Sequence, residues 1–243
     1  MRILKNKIVI TGATSGIGKA LLEKFLALDN QVIAVGRNKN TLEQLTKTDS
    51  RIIPYVCDVS NREALQQLAN YIEKEHQDLN LLINNAGMQY NYSFENEPQL
   101  LDEIEYEHNV NLLAPLRLIA LLLPTLQKNE NSAIVNISSA LALVPKSQAP
   151  VYCGTKAAIH IFSKSLRYQL KKVKVFEIVP PLVDTKMTEG RGKDKITPQQ
   201  LVEEFLKAFE KNKYEVNIGK VKLLRWIHRL SPALADRIMK GAS

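Results

Sequence analysis

A tyrosine and a lysine four residues apart, Tyr152 and Lys156, are the residues of this chain best suited to proton transfer. They fall in a segment with helical periodicity, and positions i and i+4 of a helix lie on the same face. A free phenol, with a pKa of about 10, is almost fully protonated at neutral pH. A neighbouring ammonium favours the phenolate and makes the phenol a usable acid and base. A Tyr-x-x-x-Lys pair is frequent by chance, but this one follows a predicted strand ending in NISS at 136–139, which favours catalysis.

A second candidate site is the glycine-rich segment TGATSGIG at residues 11–18, which follows the first predicted strand. A glycine turn between a strand and a helix presents backbone N–H groups and the positive end of the helix dipole at one point, where a pyrophosphate can bind. Side chains there would block the phosphate or strain the turn. The spacing is G-x-x-x-G-x-G rather than the common dinucleotide pattern G-x-G-x-x-G, so a glycine turn without a ligand is the alternative.

The end of the second predicted strand bears on the choice of dinucleotide. In dinucleotide-binding folds this point lies near the adenosine ribose, where an acidic residue binds the 2′-hydroxyl and an arginine accommodates a 2′-phosphate. Here Val35 is followed by Gly36 and Arg37, with no acid. A guanidinium can form two charge-assisted hydrogen bonds with a phosphate, so the pattern favours NADP(H) over NAD(H). The alternative is an ordinary surface arginine.

The elements that must position these residues follow from the alternation of short apolar runs with helical patterns. Near-continuous apolar strands separated by helices are typical of a parallel sheet covered on both faces. We therefore predict a single doubly wound α/β domain over residues 1–243, with a seven-stranded, mostly parallel sheet. The predicted strands lie at 7–11, 31–35, 52–56, 79–83, 133–137, 173–179 and 215–218, and the predicted helices at 16–28, 41–47, 61–74, 100–126, 151–170 and after a capping box at 197–200.

Composition excludes several classes of function. The chain is 45% hydrophobic and 24% charged, which is typical of a soluble globular protein. Two cysteines exclude a disulfide framework, and four histidines without a CxxC motif give no reason to expect a metal site. We see neither a signal peptide nor an apolar run of about 18 residues, so the expected location is the cytoplasm. No nucleic-acid-binding motif is present, so no nucleic-acid partner is expected.

The net charge of +8 is concentrated in the last quarter of the chain. Residues 186–243 contain 13 Lys and Arg against 7 Asp and Glu, whereas residues 1–185 contain 20 against 18. A polar loop near 186–196 is expected to border the substrate. A basic amphipathic tail at 220–243 is expected to pack its apolar side on the domain and leave its charges in water. A weak contact between this tail and an anionic membrane surface is the less favoured alternative.

Together these segments resemble the motif series of the short-chain dehydrogenase/reductase (SDR) family. Details such as HNVNLLAPL, PVYCGTKAA and PPLVDT are most similar to DltE-like bacterial oxidoreductases. The resemblance implies a Rossmann-type fold, NADP(H)-dependent interconversion of a small-molecule carbonyl compound and a secondary alcohol, and assembly as a homodimer or homotetramer. The motifs occur in the family's order over about residues 5–220: TGATSGIG, NNAG at 84–87, Asn111, Ser139 and the Tyr152–Lys156 pair.

The resemblance also implies the catalytic roles. Tyr152 is then the general acid/base, and Lys156 lowers its pKa and binds the nicotinamide ribose. Ser139 orients the substrate oxygen, and Asn111 supports a water-linked proton relay behind Lys156. Ser139 is preferred to Ser138 because it lies 13 residues before Tyr152, the usual interval in the family. If Ser138 were the active serine, Ser139 would be structural.

The cofactor contacts come from the same resemblance. It implies that the glycine turn cradles the pyrophosphate, that two residues after the third strand flank the adenine, and that the NNAG segment lines the adenosine-ribose side and steadies the sheet. The implied contacts are Gly12, Thr14, Ser15, Gly16, Ile17, Gly18, Arg37, Asp58, Val59, Asn85, Ala86, Gly87, Tyr152, Lys156, Pro181, Val183 and Thr185.

One departure from the family pattern follows the sixth predicted strand, where Pro180-Pro181 replaces the usual Pro-Gly. Proline fixes φ near about −65°, so this turn cannot reproduce a glycine at positive φ. We still expect Val183 and Thr185 to reach the nicotinamide carboxamide, with Pro181 altering the substrate side. A non-catalytic NADP-binding sensor or scaffold is the alternative function, and the presence of all four catalytic residues argues against it.

Overall fold

Seven parallel strands form one sheet in the centre of the protein. The computed structural model describes residues 1–95 and 100–240, so Gly241–Ser243 of the predicted tail lie outside the described residues. The strands are β1 (Lys7–Thr11), β2 (Gln31–Gly36), β3 (Ile52–Val56), β4 (Leu81–Asn84), β5 (Ala133–Ile137), β6 (Lys174–Val179) and β7 (Glu215–Asn217). They lie in the order β3-β2-β1-β4-β5-β6-β7. The predicted Rossmann-type α/β sheet is confirmed, and every strand pairing is parallel.

Helices cover both faces of the sheet, as near-continuous apolar strands require. One apolar layer joins the sheet to α1 and α7, and the other joins it to α3, α5 and α6. The predicted element boundaries agree with the structure to within two residues. The helices are α1 (Gly16–Ala27), α2 (Lys39–Thr46), α3 (Arg62–Glu75), α4 (Leu100–His108), α5 (Ala114–Lys128), α6 (Pro150–Gln169), α7 (Pro198–Glu210), α8 (Val221–Leu230) and α9 (Pro232–Lys240).

The strand order reverses next to β1, which pairs with β2 on one side and β4 on the other. The chain therefore leaves β1 and β4 toward opposite faces of the sheet. Open α/β sheets form a crevice at the carboxyl ends of the strands where this divergence occurs, and ligands bind there.

The helix predicted over residues 100–126 is divided between α4 and α5 by a π-helical segment, Asn109–Leu113. Such segments often occur at functional sites, and this one contains Asn111. By length and composition alone the stretch Leu100–Lys128 could span a bilayer, because an 18-residue window within it has a mean hydropathy of 1.5. The sequence analysis does not predict such a span, since the stretch has no uninterrupted apolar run of that length. Because half of that window is buried inside the protein, we assign it as a core helix of this fold.

The loop predicted at 186–196 contains one short 3₁₀ turn, Lys186–Thr188, and is otherwise irregular. Its two ends are tied together by a bridge between Val183 and Ile196. The capping box predicted after it is present: the Thr197 hydroxyl accepts a hydrogen bond from the Gln200 N–H at 3.1 Å, and the Gln200 side chain accepts one from the Thr197 N–H at 2.9 Å. The loop is therefore anchored at both ends.

The basic tail forms α8 and α9, and its packing corrects the sequence prediction in part. Val221 and Leu224 pack against the turn after β5 and the end of β6, as expected. Leu223, Trp226 and Leu230, however, are exposed. Apolar residues form a broad face of α8, and the domain covers only the part of that face that carries Val221 and Leu224.

Candidate active site

A cleft of about 390 Å³ lies at the carboxyl edge of the sheet, where the strand order reverses. The structure brings nearly all the predicted site residues to this cleft; Gly18 and Asn111 lie just behind its wall. Those that line it are Gly12, Thr14, Ser15, Gly16, Ile17, Arg37, Asp58, Val59, Asn85, Ala86, Gly87, Ser139, Tyr152, Lys156, Pro181, Val183 and Thr185.

The glycine turn between β1 and α1 forms one end of the cleft. Gly12 has φ +66°, a conformation that favours glycine. A Cβ on Gly18 would overlap the carbonyl oxygen of Gly12 and the side-chain amide of Asn85, so this position has no room for a side chain. The turn and the first residues of α1, Gly16 and Ile17, line the cleft, so the N-terminus of α1 lies at this end of it. This cradle fits a pyrophosphate at a helix N-terminus.

Asn85 and Thr11 hold the turn in this shape. The Asn85 side-chain amide donates to the carbonyl oxygens of Thr11 and Gly12 at 2.9 and 3.1 Å. The Thr11 hydroxyl in turn accepts hydrogen bonds from the backbone N–H groups of Asn85 and Ala86, both at 3.0 Å. The NNAG segment therefore locks the loops after β1 and β4 together, which agrees with a role in steadying the sheet.

Arg37 lies at the other side of the glycine turn, after β2. Its guanidinium donates to the Tyr106 hydroxyl at 2.5 Å, and that hydroxyl donates to the Asp58 carboxylate at 3.4 Å. Asp58 is oriented by the backbone N–H and the hydroxyl of Ser60. Sequence analysis does not identify Tyr106, because this residue comes from α4 and reaches Arg37 only in the folded chain.

The two serines after β5 have different surroundings. The Ser138 hydroxyl donates to the buried Glu177 carboxylate at 2.5 Å, on the core side of β6. The Ser139 hydroxyl accepts from the Leu141 N–H at 3.1 Å and is a close neighbour of the Tyr152 phenol. Since the Ser138 hydroxyl already donates to a core carboxylate, the geometry favours Ser139 as the serine that contacts a substrate.

Lys156 and Asn111 meet behind Gly87. A Cβ on Gly87 would lie 3.3 Å from the Asn111 side-chain oxygen and 3.5 Å from the Lys156 Nζ, so the glycine lets both approach the loop after β4. Lys156 donates to the Ile137 carbonyl at 2.9 Å, with its Nζ 5.6 Å from the centroid of the Tyr152 ring. The Asn111 amide pairs with both backbone groups of Met88, at 2.8 and 2.9 Å.

The pKa values of the catalytic pair are set mainly by burial. Burial raises the pKa of Tyr152 to about 12, and the Ser139 hydroxyl opposes that shift. Burial lowers the pKa of Lys156 to about 8, and the negative charge of Glu107 opposes it. In the protein alone, the burial of the phenol therefore outweighs the groups that favour the phenolate. The expectation that Lys156 lowers the pKa of Tyr152 in the working site stays a prediction.

Glu107 is a residue that the sequence analysis missed. It lies one turn before Asn111 at the end of α4 and is fully buried. One carboxylate oxygen accepts from the Tyr90 N–H at 3.3 Å, while the other has no hydrogen-bond partner among the described residues. Burial raises its pKa to about 7, opposed by the Tyr90 N–H and then by the charge of Lys156. A carboxyl and an ammonium that both titrate near neutrality thus lie behind the phenol.

The segment after β6, with its second proline, lies along the cleft, and its contacts with the nicotinamide stay a prediction. Val183 is buried at the bridge with Ile196, and the Thr185 side chain lies over the glycine turn, with its Cγ2 3.0 Å from where a Cβ of Gly16 would be. Pro181 packs beside the turn after β7, 3.9 Å from the position of a Cβ on Gly219. The segment therefore runs from the turn after β7 to the glycine turn after β1.

One group of possible metal ligands, His160, Glu177 and Glu215, lies behind β6 and β7. The His160 ring is 2.9 Å from the Glu177 carboxylate, which also contacts Arg167, and Glu215 pairs with Arg225. These carboxylates already have cationic or hydrogen-bonding partners, so the group is explained as an ion-pair network and the absence of a metal stays a prediction.

Comparison with known proteins decides the family. A family model described as short chain dehydrogenase matches residues 6–196. A curated relative, the uncharacterized oxidoreductase DltE of Bacillus subtilis (strain 168), is 37% identical over 238 residues, which cover 93% of this chain and 92% of the relative. The chain belongs to the short-chain dehydrogenase/reductase family. The predicted resemblance to DltE-like oxidoreductases is confirmed by the same relative.

Two solved structures of short-chain dehydrogenases share this fold. The enzyme from Burkholderia cenocepacia J2315 in complex with NADP has a TM-score of 0.87 and 28% identity, covering 99% of this chain and 100% of the other. The enzyme from Burkholderia phymatum in complex with NAD has a TM-score of 0.83 over 95% and 96% of the chains, and at 19% identity it shows the fold alone. This short-chain dehydrogenase/reductase is thus an oxidoreductase that uses a nicotinamide cofactor.

Proposed function

We propose that this protein interconverts a small-molecule carbonyl compound and a secondary alcohol with NADP(H), most often as a reductase, and that Tyr152 is its general acid/base. The observation that carries the proposal is the meeting of Ser139, Tyr152 and Lys156 at one end of a cleft whose other end is a glycine turn at a helix N-terminus. The turn fits the pyrophosphate, and the three side chains fit a substrate oxygen.

The chain's own groups account for the proton. The bound cofactor supplies the hydride. The Tyr152 phenol, with a pKa raised to about 12, is protonated at neutral pH and can donate to the developing alkoxide. The Ser139 hydroxyl donates a hydrogen bond to the same oxygen. The Lys156 ammonium stabilises the phenolate that remains, and a lysine with a pKa of about 8 can pass a proton on near neutral pH.

The preference for NADP(H) rests on Arg37. The structure holds its guanidinium at the end of β2 by the Tyr106 hydroxyl, beside the side chains that line the adenosine end of the cleft. An arginine at this point accommodates a 2′-phosphate, whereas an acidic residue would bind the 2′-hydroxyl of NAD.

Turnover by the Tyr152→Phe variant tests the function. We expect NADPH oxidation with members of a panel of aldehydes, ketones and quinones, and a fall in turnover of about 10²- to 10⁴-fold in the variant, with an unchanged dissociation constant for NADPH. Tyr214→Phe, which alters an exposed tyrosine outside the cleft, is the matched control. Wild-type turnover in Tyr152→Phe contradicts the proposal. Tight NADPH binding without any turnover on the panel favours the sensor or scaffold instead.

We also propose a homodimer or homotetramer that works in the cytoplasm. The family resemblance implies contacts through the helices at about 100–126 and 150–170, and large apolar side chains are exposed there: Leu101, Ile161 and Tyr168. Cys57 and Cys153 are both free and buried, which suits a reducing compartment. Light scattering on the purified protein measures the assembly, and a monomer at micromolar concentration contradicts it.

A further inference from the structure

Two cationic side chains line the substrate end of the cleft and have no assigned role. Lys146 follows the turn after β5 and is only 9% exposed, and Arg191 comes from the loop after β6. Both line the same cleft as Ser139 and Tyr152. They are 45 residues apart in the chain and meet only in the folded protein.

Neither cation has an anionic partner within residues 1–95 and 100–240. The Nη1 atom of Arg191 is buried and has no hydrogen-bond partner in that part of the chain. Two acids of the same loop pair with other lysines, Asp184 with Lys195 and Asp194 with Lys220. The loop therefore does not neutralise Arg191 with these acids.

Two cations that line one cleft without an anionic partner among the described residues are unfavourable unless an anion joins them. Burial lowers the pKa of Lys146, and the charge of Arg191 lowers it further. A buried charge is strongly unfavourable unless it is paired, so an anionic ligand would complete a site of this kind. The two side chains can form charge-assisted hydrogen bonds with an anion that enters the cleft.

The position of the pair points to the substrate rather than to the cofactor pyrophosphate. Arg191 is close enough to Tyr152 to act on its pKa, and the Lys146 carbonyl lies 3.9 Å from the Sγ of Cys153, the residue after Tyr152. The glycine turn is at the other end of the cleft. Three apolar side chains share the substrate end with the cations: Leu141, Met187 and Met239.

We propose that Lys146 and Arg191 bind an anionic group of the substrate, so that the substrate is a carbonyl compound that carries a carboxylate or a phosphate on an apolar frame. This inference rests on the proposed function, because it names the substrate class of the same site. The two cations fix the far end of the molecule, and Ser139 and Tyr152 receive its carbonyl oxygen.

A series of para-substituted acetophenones tests the inference, since their reduction gives secondary alcohols and the charge at the far end is their main difference. The members are 4-acetylbenzoate, 4-acetylphenyl phosphate, the neutral methyl 4-acetylbenzoate and a 4-trimethylammonio analogue. We expect kcat/KM for the preferred anion to exceed that of the neutral ester by at least about 10-fold, with the cation poorest. Whether the carboxylate or the phosphate leads identifies which anionic group the site takes.

Two neutral variants assign the effect to the pair. Lys146→Met and Arg191→Gln should each lower kcat/KM for the anions by about 10- to 100-fold and change that of the ester by less than about 3-fold. The matched control is Lys193→Gln, an exposed lysine of the same loop that does not line the cleft. Lys146→Met removes a buried unpaired charge, so its melting temperature should be unchanged or higher.

A binding measurement separates failure of this inference from failure of the proposed function. Titration calorimetry on the NADP⁺-loaded protein compares benzoate with neutral benzamide, and we expect benzoate to bind at least about 10-fold more tightly in the wild type and no better in Lys146→Met. Equal binding overturns the anion site even if the acetophenones are reduced. Tight benzoate binding without turnover supports the anion site and contradicts the reductase. Loss of NADPH affinity in the variants, with the charge preference intact, assigns the cations to the cofactor and overturns the inference.

Discussion

At the nucleotide end of the cleft, the binding surface is mostly backbone. The glycine turn after β1 is shaped by positive φ angles and by the Asn85 amide, and its N–H groups belong to consecutive residues. At the substrate end the surface is made of side chains from distant segments, such as Lys146, Arg191 and Met239. A backbone cradle tolerates little change, whereas a side-chain surface can change its ligand by substitution. The same fold can therefore keep one cofactor and take different substrates.

A methyl group at Gly18 should break the nucleotide end most strongly. The added Cβ would overlap the Gly12 carbonyl, so the turn must open, and we expect Gly18→Ala to raise the NADPH dissociation constant about 100-fold. The control is Gly154→Ala, because a Cβ at that helical glycine meets nothing within 4 Å. The control should gain about 0.5–1 kcal/mol of stability and keep its affinity. Unchanged NADPH binding in Gly18→Ala would show that the turn is not the cradle.

At the nucleotide end, Arg37 contributes a side chain rather than backbone groups. We expect its removal to weaken NADPH binding less than Gly18→Ala does. Because the guanidinium is exposed, Arg37→Ala should weaken NADPH by about 10-fold and leave NADH nearly unchanged. Added salt should reduce the preference for NADPH, since exposed charges are screened. Fluorescence titration with both nucleotides measures this, and equal dissociation constants in the wild type contradict the assignment. Arg51→Ala removes an arginine outside the cleft and serves as the control.

The Tyr152–Lys156 pair, at the end of the cleft opposite the glycine turn, should respond to the charge of Glu107. Its carboxylate favours the ammonium, so Glu107→Gln should move the pKa of Lys156 below about 8. Carbonyl reduction that needs the charged lysine should then decline at a lower pH, by up to about one unit. Glu105→Gln, an exposed position of α4, should leave the pH profile unchanged. A profile of Glu107→Gln that is unchanged or shifted to higher pH contradicts this coupling.

Folding stability gives a second measure of Glu107 that needs no substrate. Its pKa is raised from 4.5 to about 7, so the folded state holds the proton more tightly than the unfolded state. The stability from this group is full below about pH 4.5 and is lost as the pH rises to about 7. Urea denaturation of Glu107→Gln should therefore show a gain over the wild type that grows across this range, to about 1–3 kcal/mol. A constant difference would contradict the raised pKa.

The smallest effects are expected in α8, which packs against the turn after β5 that carries Ser139. Val221 is buried against the turn that carries Ser139, so Val221→Ala should cost about 1–2 kcal/mol. Trp226→Ala removes a larger side chain that is 62% exposed, and its effect should stay within about 0.5 kcal/mol. Chemical denaturation measures both. A larger loss from Trp226→Ala would mean that a partner or a second copy covers this side of the helix.

The sequence was most informative where function depends on near neighbours in the chain. The seven strands and the helix boundaries followed from local periodicity, and the Tyr152–Lys156 pair from one helical turn. The glycine turn could be recognised because its residues are consecutive. The choice of Ser139 over Ser138 rested on a family interval, and the core carboxylate that occupies Ser138 now supplies a structural reason for it.

Local patterns failed where a residue's environment comes from elsewhere in the chain. The tail was expected to pack its apolar side on the domain, but helical periodicity does not say how much of a helix the domain can cover, and Trp226 is exposed. Burial, which is not visible in a sequence, raises the pKa of Tyr152 in the protein alone, and the lowering expected in the working site stays a prediction.

The sequence by itself therefore determined the fold and the family and singled out the Tyr152–Lys156 pair, since each depends on spacing along the chain. Only the tertiary structure decided that Glu107 is buried near Lys156 and that Lys146 and Arg191 line one cleft with Tyr152. The physical reason is that charge and burial act through space. The energy of a carboxylate or an ammonium depends on the water it loses and the charges it meets, and residues far apart in the chain set both.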